Sequence, residues 1–174
     1  EVDESILEEL NDQLVHLVRN AVDHGIETIE ERQAAGKNPK GTVNLSARQT
    51  GDHIVIEIQD DGKGMRPEII REKAVEKGLI SHEEASQLST QDSLQLIFLP
   101  GFSTKDQISD ISGRGVGMDV VKTNIQRLNG RIEIESDPGQ GSRITILLPL
   151  TLAILPVLML KLEEQIYSLP LSCV

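Results

Sequence analysis

The strongest constraint on the fold is a pair of alternating apolar stretches, each broken in the middle by a short turn. Val43-Asn44-Leu45-Ser46-Ala47 and Ile54-Val55-Ile56-Glu57-Ile58 both run with period two, and Thr50-Gly51-Asp52 lies between them. Arg131–Ser136 and Arg143–Leu148 repeat the arrangement around Pro138-Gly139-Gln140-Gly141. Alternating segments joined by turn residues read as two β-hairpins, whose strands are antiparallel neighbours. Helical patterns surround them. Over residues 5–24, with Asp3 or Ser5 as N-cap and Gly25 as the stop, an apolar arc about 180° wide holds Ile6, Leu7, Leu10, Leu14, Val15, Leu17, Val18, Ala21 and Val22. Residues 26–38 read as a short polar helix or loop, and 67–99 as largely helical with a break at Gly78 and caps at Ser81 or Ser89. A further helix carries Val120, Val121, Ile125 and Leu128 on one side and ends at Asn129-Gly130. Interleaved helices and two hairpins predict an α/β sandwich: a mixed, largely antiparallel sheet with helices packed on one face.

Composition narrows the function. Apolar residues make up 38% of the 174, enough for one sizeable core. With Phe98, Phe102 and Tyr167 as the only large aromatics, that core is built from Ile, Leu and Val. A net charge of −11 has the wrong sign for a nucleic-acid or anionic-membrane surface. A single cysteine, Cys173, excludes an internal disulfide framework and fits a reducing compartment. Between Arg143 and Lys161 lie seventeen residues without a charge, but Pro149 and Pro156 interrupt them and Arg143–Ile146 alternates like a strand. Two buried strands are expected there rather than a membrane span. The chain opens on Glu1 and stops in an apolar stretch, so it is expected to be part of a longer protein.

Three features bear on chemistry. Asp60 shares its parity with Ile54, Ile56 and Ile58, so an acid faces the apolar side just where the strand ends, in Asp60-Asp61-Gly62-Lys63-Gly64. A carboxylate in that position needs a donor. A ligand amino group would serve, with Gly62 and Gly64 letting a planar ligand approach the backbone. Asp-Gly is also ordinary turn chemistry, and on this feature alone the turn is the favoured reading. Secondly, Gly113-Arg114-Gly115-Val116-Gly117-Met118-Asp119 runs from a long glycine- and serine-rich loop into a helix. Unpaired N–H groups at such a start suit an anion, although a glycine run is also what a flexible linker looks like. No strand precedes it, so a dinucleotide-fold loop fits poorly, and no Gly-Lys-Ser/Thr follows, which excludes a Walker-type loop. Phosphates here would need the helix end, a bound cation and local bases such as Lys105, Arg114 and Lys122. Thirdly, His16, Asn20 and Asp23 form a stripe within about 60° on the polar face of the first helix. Such a stripe is usually only the solvated face. His16 and His24, two turns apart, could also face one metal, but without Cys partners a zinc site has little behind it.

Order and spacing bring these features together. HLVRNAVDHGIE (16–27), DDGKG (60–64), FLPGFSTK (98–105) and SGRGVGMDVV (112–121) resemble the four nucleotide-binding boxes of the gyrase, chaperone, histidine-kinase and mismatch-repair ATPase superfamily. The likeness is greatest to the ATP-binding catalytic domain of the CheA-type chemotaxis histidine kinases, and it extends from about residue 8 to the end. It implies a Bergerat-type ATP-binding fold over 1–149. Residues 150–174 would then be the first strands of a β-barrel regulatory domain that docks an adaptor and a chemoreceptor array.

Residue by residue, the resemblance implies that Asn20 helps hold Mg²⁺ on the ATP phosphates, as a hard cation takes an amide oxygen. His16 stands where water-activating relatives carry a glutamate, which implies a kinase that orients a phosphoryl group. Asp60 matches the aspartate that accepts from the adenine amino group, and Gly62 and Gly64 the glycines beside the base. Phe98 and Phe102 match the box before the lid. Asp23, His24, Ser103, Thr104 and Lys105 lie at or beside matching ATP-contact positions, as do Gly113, Arg114, Gly115, Val116, Gly117 and Met118 at the lid's hinge end. Gly139–Ser142 resembles a last glycine box, with Ser142 near the adenine. The implied activity is transfer of the ATP γ-phosphoryl group to a histidine on a separate phosphoacceptor domain of the same protein, with response regulators downstream and a bacterial, cytoplasmic setting. The alternatives are a nucleotide-binding conformational switch and a clamp-type ATPase without kinase activity.

Overall fold

A computed structural model describes residues 4–102 and 117–149. The Asp3 cap, Ser103, Thr104, Lys105, Gly113, Arg114, Gly115, Val116 and the segment 150–174 lie outside the described residues, as do the side chains of Ile6 and Leu7.

Helix α1 (Glu4–Asn20) continues without a break into a π-helical turn, Ala21–Gly25. Next come α2 (Ile29–Ala34), strands β1 (Val43–Thr50) and β2 (His53–Asp60), α3 (Pro67–Glu76), α4 (His82–Gln87), α5 (Thr90–Gln95) and a 3₁₀ turn at Leu96–Phe98. Helix α6 (Met118–Arg127), β3 (Arg131–Asp137) and β4 (Gly141–Pro149) follow. Local chemistry accounts for most of these boundaries. Thr28 and Ser81 open α2 and α4 through reciprocal capping boxes with Glu31 and Glu84. Ser89 Oγ accepts from the Asp92 N–H to cap α5, and Pro67 occupies the first turn of α3. At the end of α6, Asn129 adopts a φ of 62° and Gly130 N–H donates to Ile125 O at 2.8 Å, the left-handed stop expected there.

The sheet has the order β1-β2-β4-β3 and every pairing is antiparallel, so the described strands form an antiparallel sheet and not a mixed one. The reason is connectivity. Each hairpin supplies one inner and one outer strand, and the inner strands β2 and β4 meet head to tail, with no crossover between parallel neighbours. Thr50 pairs with His53 across the two-residue loop Gly51-Asp52, and Asp137 pairs with Gly141 across Pro138–Gln140. Gln91 Nε2 donates to Ile134 O at 3.0 Å and so covers part of the outer edge of β3 with α5.

One face of the sheet builds the core. Ile54, Ile56, Ile58, Ile132, Ile134, Ile146 and Leu148 pack with Leu10, Leu14, Leu17 and Val18 of α1 and Val121 and Ile125 of α6 in one cluster. Each fully buried Ile or Leu contributes about 1.5–3 kcal/mol relative to exposure. The other face carries pairs such as Arg48–Glu57 and Arg143–Glu135, with Val55 buried among them.

Two features of α1 add to the amphipathic pattern. Asn11 and Gln13 are buried along with the leucines, and Asn124 Nδ2 of α6 donates to Gln13 Oε1 at 3.1 Å. This amide pair ties α1 to the helix that follows the glycine-rich loop. The last turn is π-helical, closed by Ile26 N–H to Ala21 O at 3.0 Å. The wider turn takes Asp23 off the α-helical stripe with His16 and Asn20: Asp23 and His24 are exposed, while His16 and Asn20 are half-buried. π-turns of this kind recur at functional sites.

Candidate nucleotide site

Asp60 ends β2 on the core face and is half-buried, as strand parity predicts. Gly62 N–H donates to Asp60 Oδ1 at 2.9 Å, and the backbone of Ser142 also hydrogen-bonds the carboxylate. Burial nevertheless pushes the Asp60 carboxyl above its ordinary range. The two backbone bonds offset this in part, and the neighbouring Asp61 and Glu27 carboxylates add to it. Asp60 is therefore an acceptor with incomplete compensation, the state in which a ligand donor gains most.

The loop after Asp60 is held from three sides. Lys63 N–H donates to Gly25 O in the π-turn at 2.9 Å. Gly139 N–H donates to Lys63 O at 2.7 Å, and Met65 N–H to Ser136 Oγ at 2.7 Å, which fixes the loop against the β3–β4 turn. Ser136 Oγ in turn donates to Gly141 O and lies 2.8 Å from Ser142 Oγ. On the third side stands an ionic cluster of Glu27, Arg32, Lys37 and Asp61. The glycines answer to this crowding. A Cβ on Gly62 would lie 1.9 Å from Gly25 O, and one on Gly64, whose φ is 69°, 2.1 Å from Asp137 O. The π-turn thus supplies the carbonyl that makes Gly62 obligatory, and a Cβ on Gly25 would lie 3.6 Å from Asp60 Oδ2.

A second group lies where the glycine-rich loop begins and ends. Phe98 and Phe102 are buried. Lys122 of α6 lies over the Phe98 ring at 5.3 Å, and Lys73 of α3 and Lys77 at its C-cap lie over Phe102 at 5.0 and 5.5 Å. Lys77 Nζ also donates to Phe102 O. Burial, with help from Lys77, depresses the Lys73 ammonium. Gly117 is buried at the N-cap of α6, whose first turn has no side-chain cap, and Met118 packs half-buried against the core. In a chain of net charge −11, three lysines thus face these two phenylalanines.

Of the residues singled out from sequence, the structure brings Asp60, Gly62, Gly64 and Ser142 together, with Gly25 and the π-turn beside them. His16 and Asn20 sit one turn apart on α1 leading into that turn. Sequence reasoning missed Arg32, Lys37, Lys73 and Lys77. A basic residue in a polar helix reads as solvated, and the contacts that bury Arg32 reach 29 residues along the chain. The i, i+4 spacing of Lys73 and Lys77 at the end of α3 was the one local signal available. Among the described residues no three His, Cys, Asp or Glu side chains are grouped to hold a metal ion. The concavity between α3 and α4, lined by Glu68, Arg71, Glu72 and His82 among others, shares no residue with this site. No helix among the described residues is long and apolar enough to cross a membrane.

Comparison with known proteins agrees with the resemblance drawn from the boxes. The profile of the family described as histidine kinase-, DNA gyrase B- and HSP90-like ATPase matches residues 9–152. Over its whole length the chain is 53% identical to the sensor histidine kinase CheAY of Helicobacter pylori, covering 22% of that protein. It is 50% identical over its whole length to the chemotaxis protein CheA of Bacillus subtilis and covers 26% of it. For the chemotaxis protein CheA of Rhizobium meliloti the figures are 52% and 23%. The chain thus spans about a quarter of the length of these curated relatives.

Proposed function

We propose, for a chain that belongs to the family of histidine kinase-, DNA gyrase B- and HSP90-like ATPases, that residues 1–149 are the ATP-binding catalytic domain of a chemotaxis histidine kinase. The observation that carries this reading is the Asp60 carboxylate, under-compensated at the end of β2 and walled by backbone at Gly25 and Gly62. It suits the exocyclic amino group of adenine, a flat donor that needs an acceptor at close backbone range. The 53% identity to a sensor histidine kinase supports the choice of branch.

On this reading the chain acts chiefly by position and charge. Asp60 and the Gly62–Gly64 backbone fix the base, and Ser142 steadies Asp60 through its backbone. Phe102, the lid from Ser103 through Thr104, Lys105, Gly113, Arg114, Gly115 and Val116, and the α6 start at Gly117-Met118 enclose the phosphates. Asp23 and His24 flank them from the π-turn. Asn20 offers an amide oxygen to Mg²⁺. A cation held by one amide oxygen keeps most of its shell as water and phosphate oxygen, which suits Mg²⁺. The ion, when bound, neutralises charge on the phosphate oxygens. His16 orients the γ-phosphoryl group. Its bond to the β-phosphate oxygen breaks as a bond forms to an imidazole nitrogen of the acceptor, with ADP leaving and the imidazole proton lost. The acceptor histidine belongs to a separate domain of the same protein. Residues 150–174 begin a regulatory β-barrel that docks an adaptor and a receptor array, with response regulators downstream and a cytoplasmic setting.

The test is calorimetric titration of the chain with ATP, with and without Mg²⁺, followed by addition of a phosphoacceptor domain and γ-labelled ATP. Binding and transfer of label to histidine is the expected result. Failure to bind nucleotide would overturn the reading. Binding without transfer would point to a nucleotide switch, and rapid turnover without any acceptor to a clamp-type ATPase.

A further inference from the structure

Two adjacent aspartates end β2 and its loop, and the fold gives them opposite tasks. Asp60 faces the core side, whereas Asp61 turns into the cluster beneath the loop. Asp61 Oδ1 accepts from Thr42 N–H at 2.8 Å, and its Oδ2 from Arg32 Nη2 at 3.1 Å. Arg32 is only 1% exposed and also reaches Glu27 Oε1 at 2.9 Å, Asn38 O at 2.6 Å and Asp61 O at 3.1 Å. Lys37 Nζ donates to Glu27 Oε2 at 2.6 Å, Gly62 O at 2.9 Å and Asp61 O at 3.1 Å. An ammonium has three donors, and all three are spent inside the protein.

The Gly62 peptide is therefore held at both ends: its N–H by Asp60 and its carbonyl by Lys37. The cluster is also balanced in charge. Arg32 and Lys37 offset Glu27 and Asp61, which leaves Asp60 as the acid without an ionic partner among them. We propose that Lys37, Arg32 and Glu27 are positioning residues of the adenine pocket, fixing the Asp61 and Gly62 carbonyls so that Asp60 presents its carboxylate to the base. The inference rests on the adenine reading of Asp60. With its donors already spent on Glu27, Asp61 and Gly62, Lys37 acts through the loop and not as a ligand contact.

Lys37→Met keeps the aliphatic stem and removes the three donors. Because Arg32 is buried, its removal would strand Glu27 and Asp61 and endanger the fold. Asp61→Asn, half-exposed, is the second variant. Three readouts are needed: hydrogen exchange of the Gly62 and Lys63 amides in the nucleotide-free chain, affinity for ATP and ADP, and affinity for Mg²⁺-tripolyphosphate, which has no base. For both variants the Gly62 and Lys63 amides should exchange at least about tenfold faster while Ile56 in β2 is unchanged. ATP and ADP should both bind about tenfold more weakly, the scale of one hydrogen bond to a charged group, with tripolyphosphate binding unaltered. Equal losses for ATP and tripolyphosphate, or unchanged exchange and affinity, would overturn the inference. If the parent chain bound no ATP at all, the adenine reading would fall and the inference with it. A parent that binds ATP and variants that bind it equally well would sink the inference alone.

Discussion

Asp60→Asn separates the binding role of this carboxylate from any role in the fold, because the two roles predict opposite signs. The substitution keeps size and keeps one oxygen to accept from Gly62 N–H, now at 2.9 Å from Oδ1. It replaces the other oxygen with an NH₂ group, which meets the adenine amino group donor to donor. A hydrogen bond to a charged group is worth about 1.5–3 kcal/mol, so ATP should bind roughly 10- to 100-fold more weakly. Stability should move the other way. The Asp60 carboxyl lies above its ordinary range chiefly because burial disfavours the charge. A raised folded-state value means that the stabilisation is present below the ordinary carboxyl range and is lost as pH rises through the raised value. At neutral pH the ionised side chain opposes folding, and the neutral amide relieves this. The melting temperature of the nucleotide-free variant should be equal to or higher than that of the parent. Calorimetric titration and thermal unfolding on one preparation decide the matter. Unchanged ATP affinity, or a loss of affinity accompanied by a lower melting temperature, would refute the reasoning.

The same carboxyl predicts a pH dependence of binding: ATP affinity should fall as pH drops through the raised value, at higher pH than an ordinary aspartate would give, and Asp60→Asn should lack this limb. Titrations at several pH values check it. Gly62→Ala puts a methyl 1.9 Å from Gly25 O, so the loop must shift. A loss of about 1–3 kcal/mol in thermal or denaturant unfolding is expected, with adenine nucleotides binding still more weakly than the stability change alone would require. Asn20→Ala should weaken ATP binding in the presence of Mg²⁺ and leave metal-free binding nearly unchanged, as paired titrations would show. Equal losses in both conditions would contradict the metal role.

Much of this architecture follows from local rules. The hairpins at 43–60 and 131–149 were legible because alternation and turn residues coincide, and both pairs of strands are antiparallel neighbours as expected. Ser81, Ser89, Asn129 and Pro67 mark helix ends by chemistry confined to one turn. The Asp60 site was legible for the same reason: strand parity is a two-residue rule, and it placed an acid on the apolar side at the strand's end.

What the sequence could not supply depends on contacts between distant residues. Asn11 and Gln13 lie within and beside the apolar arc of α1 and are buried there, but the partner of Gln13 is Asn124, 111 residues away. Arg32 looked like one charge in a polar helix until Asp61 closed over it. The π-turn at Ala21–Gly25 interrupts a pattern that reads as uninterrupted α-helix, and its Gly25 O meets the Lys63 N–H of a distant segment. The two hairpins, the first and last helices and the acid that faces the core are written in neighbours within a few residues. The β1-β2-β4-β3 order, the burial of Arg32 and the crowding that requires glycine at 62 and 64 arise only when the segments pack. Burial and hydrogen-bond partners belong to pairs of segments, and no single segment carries them.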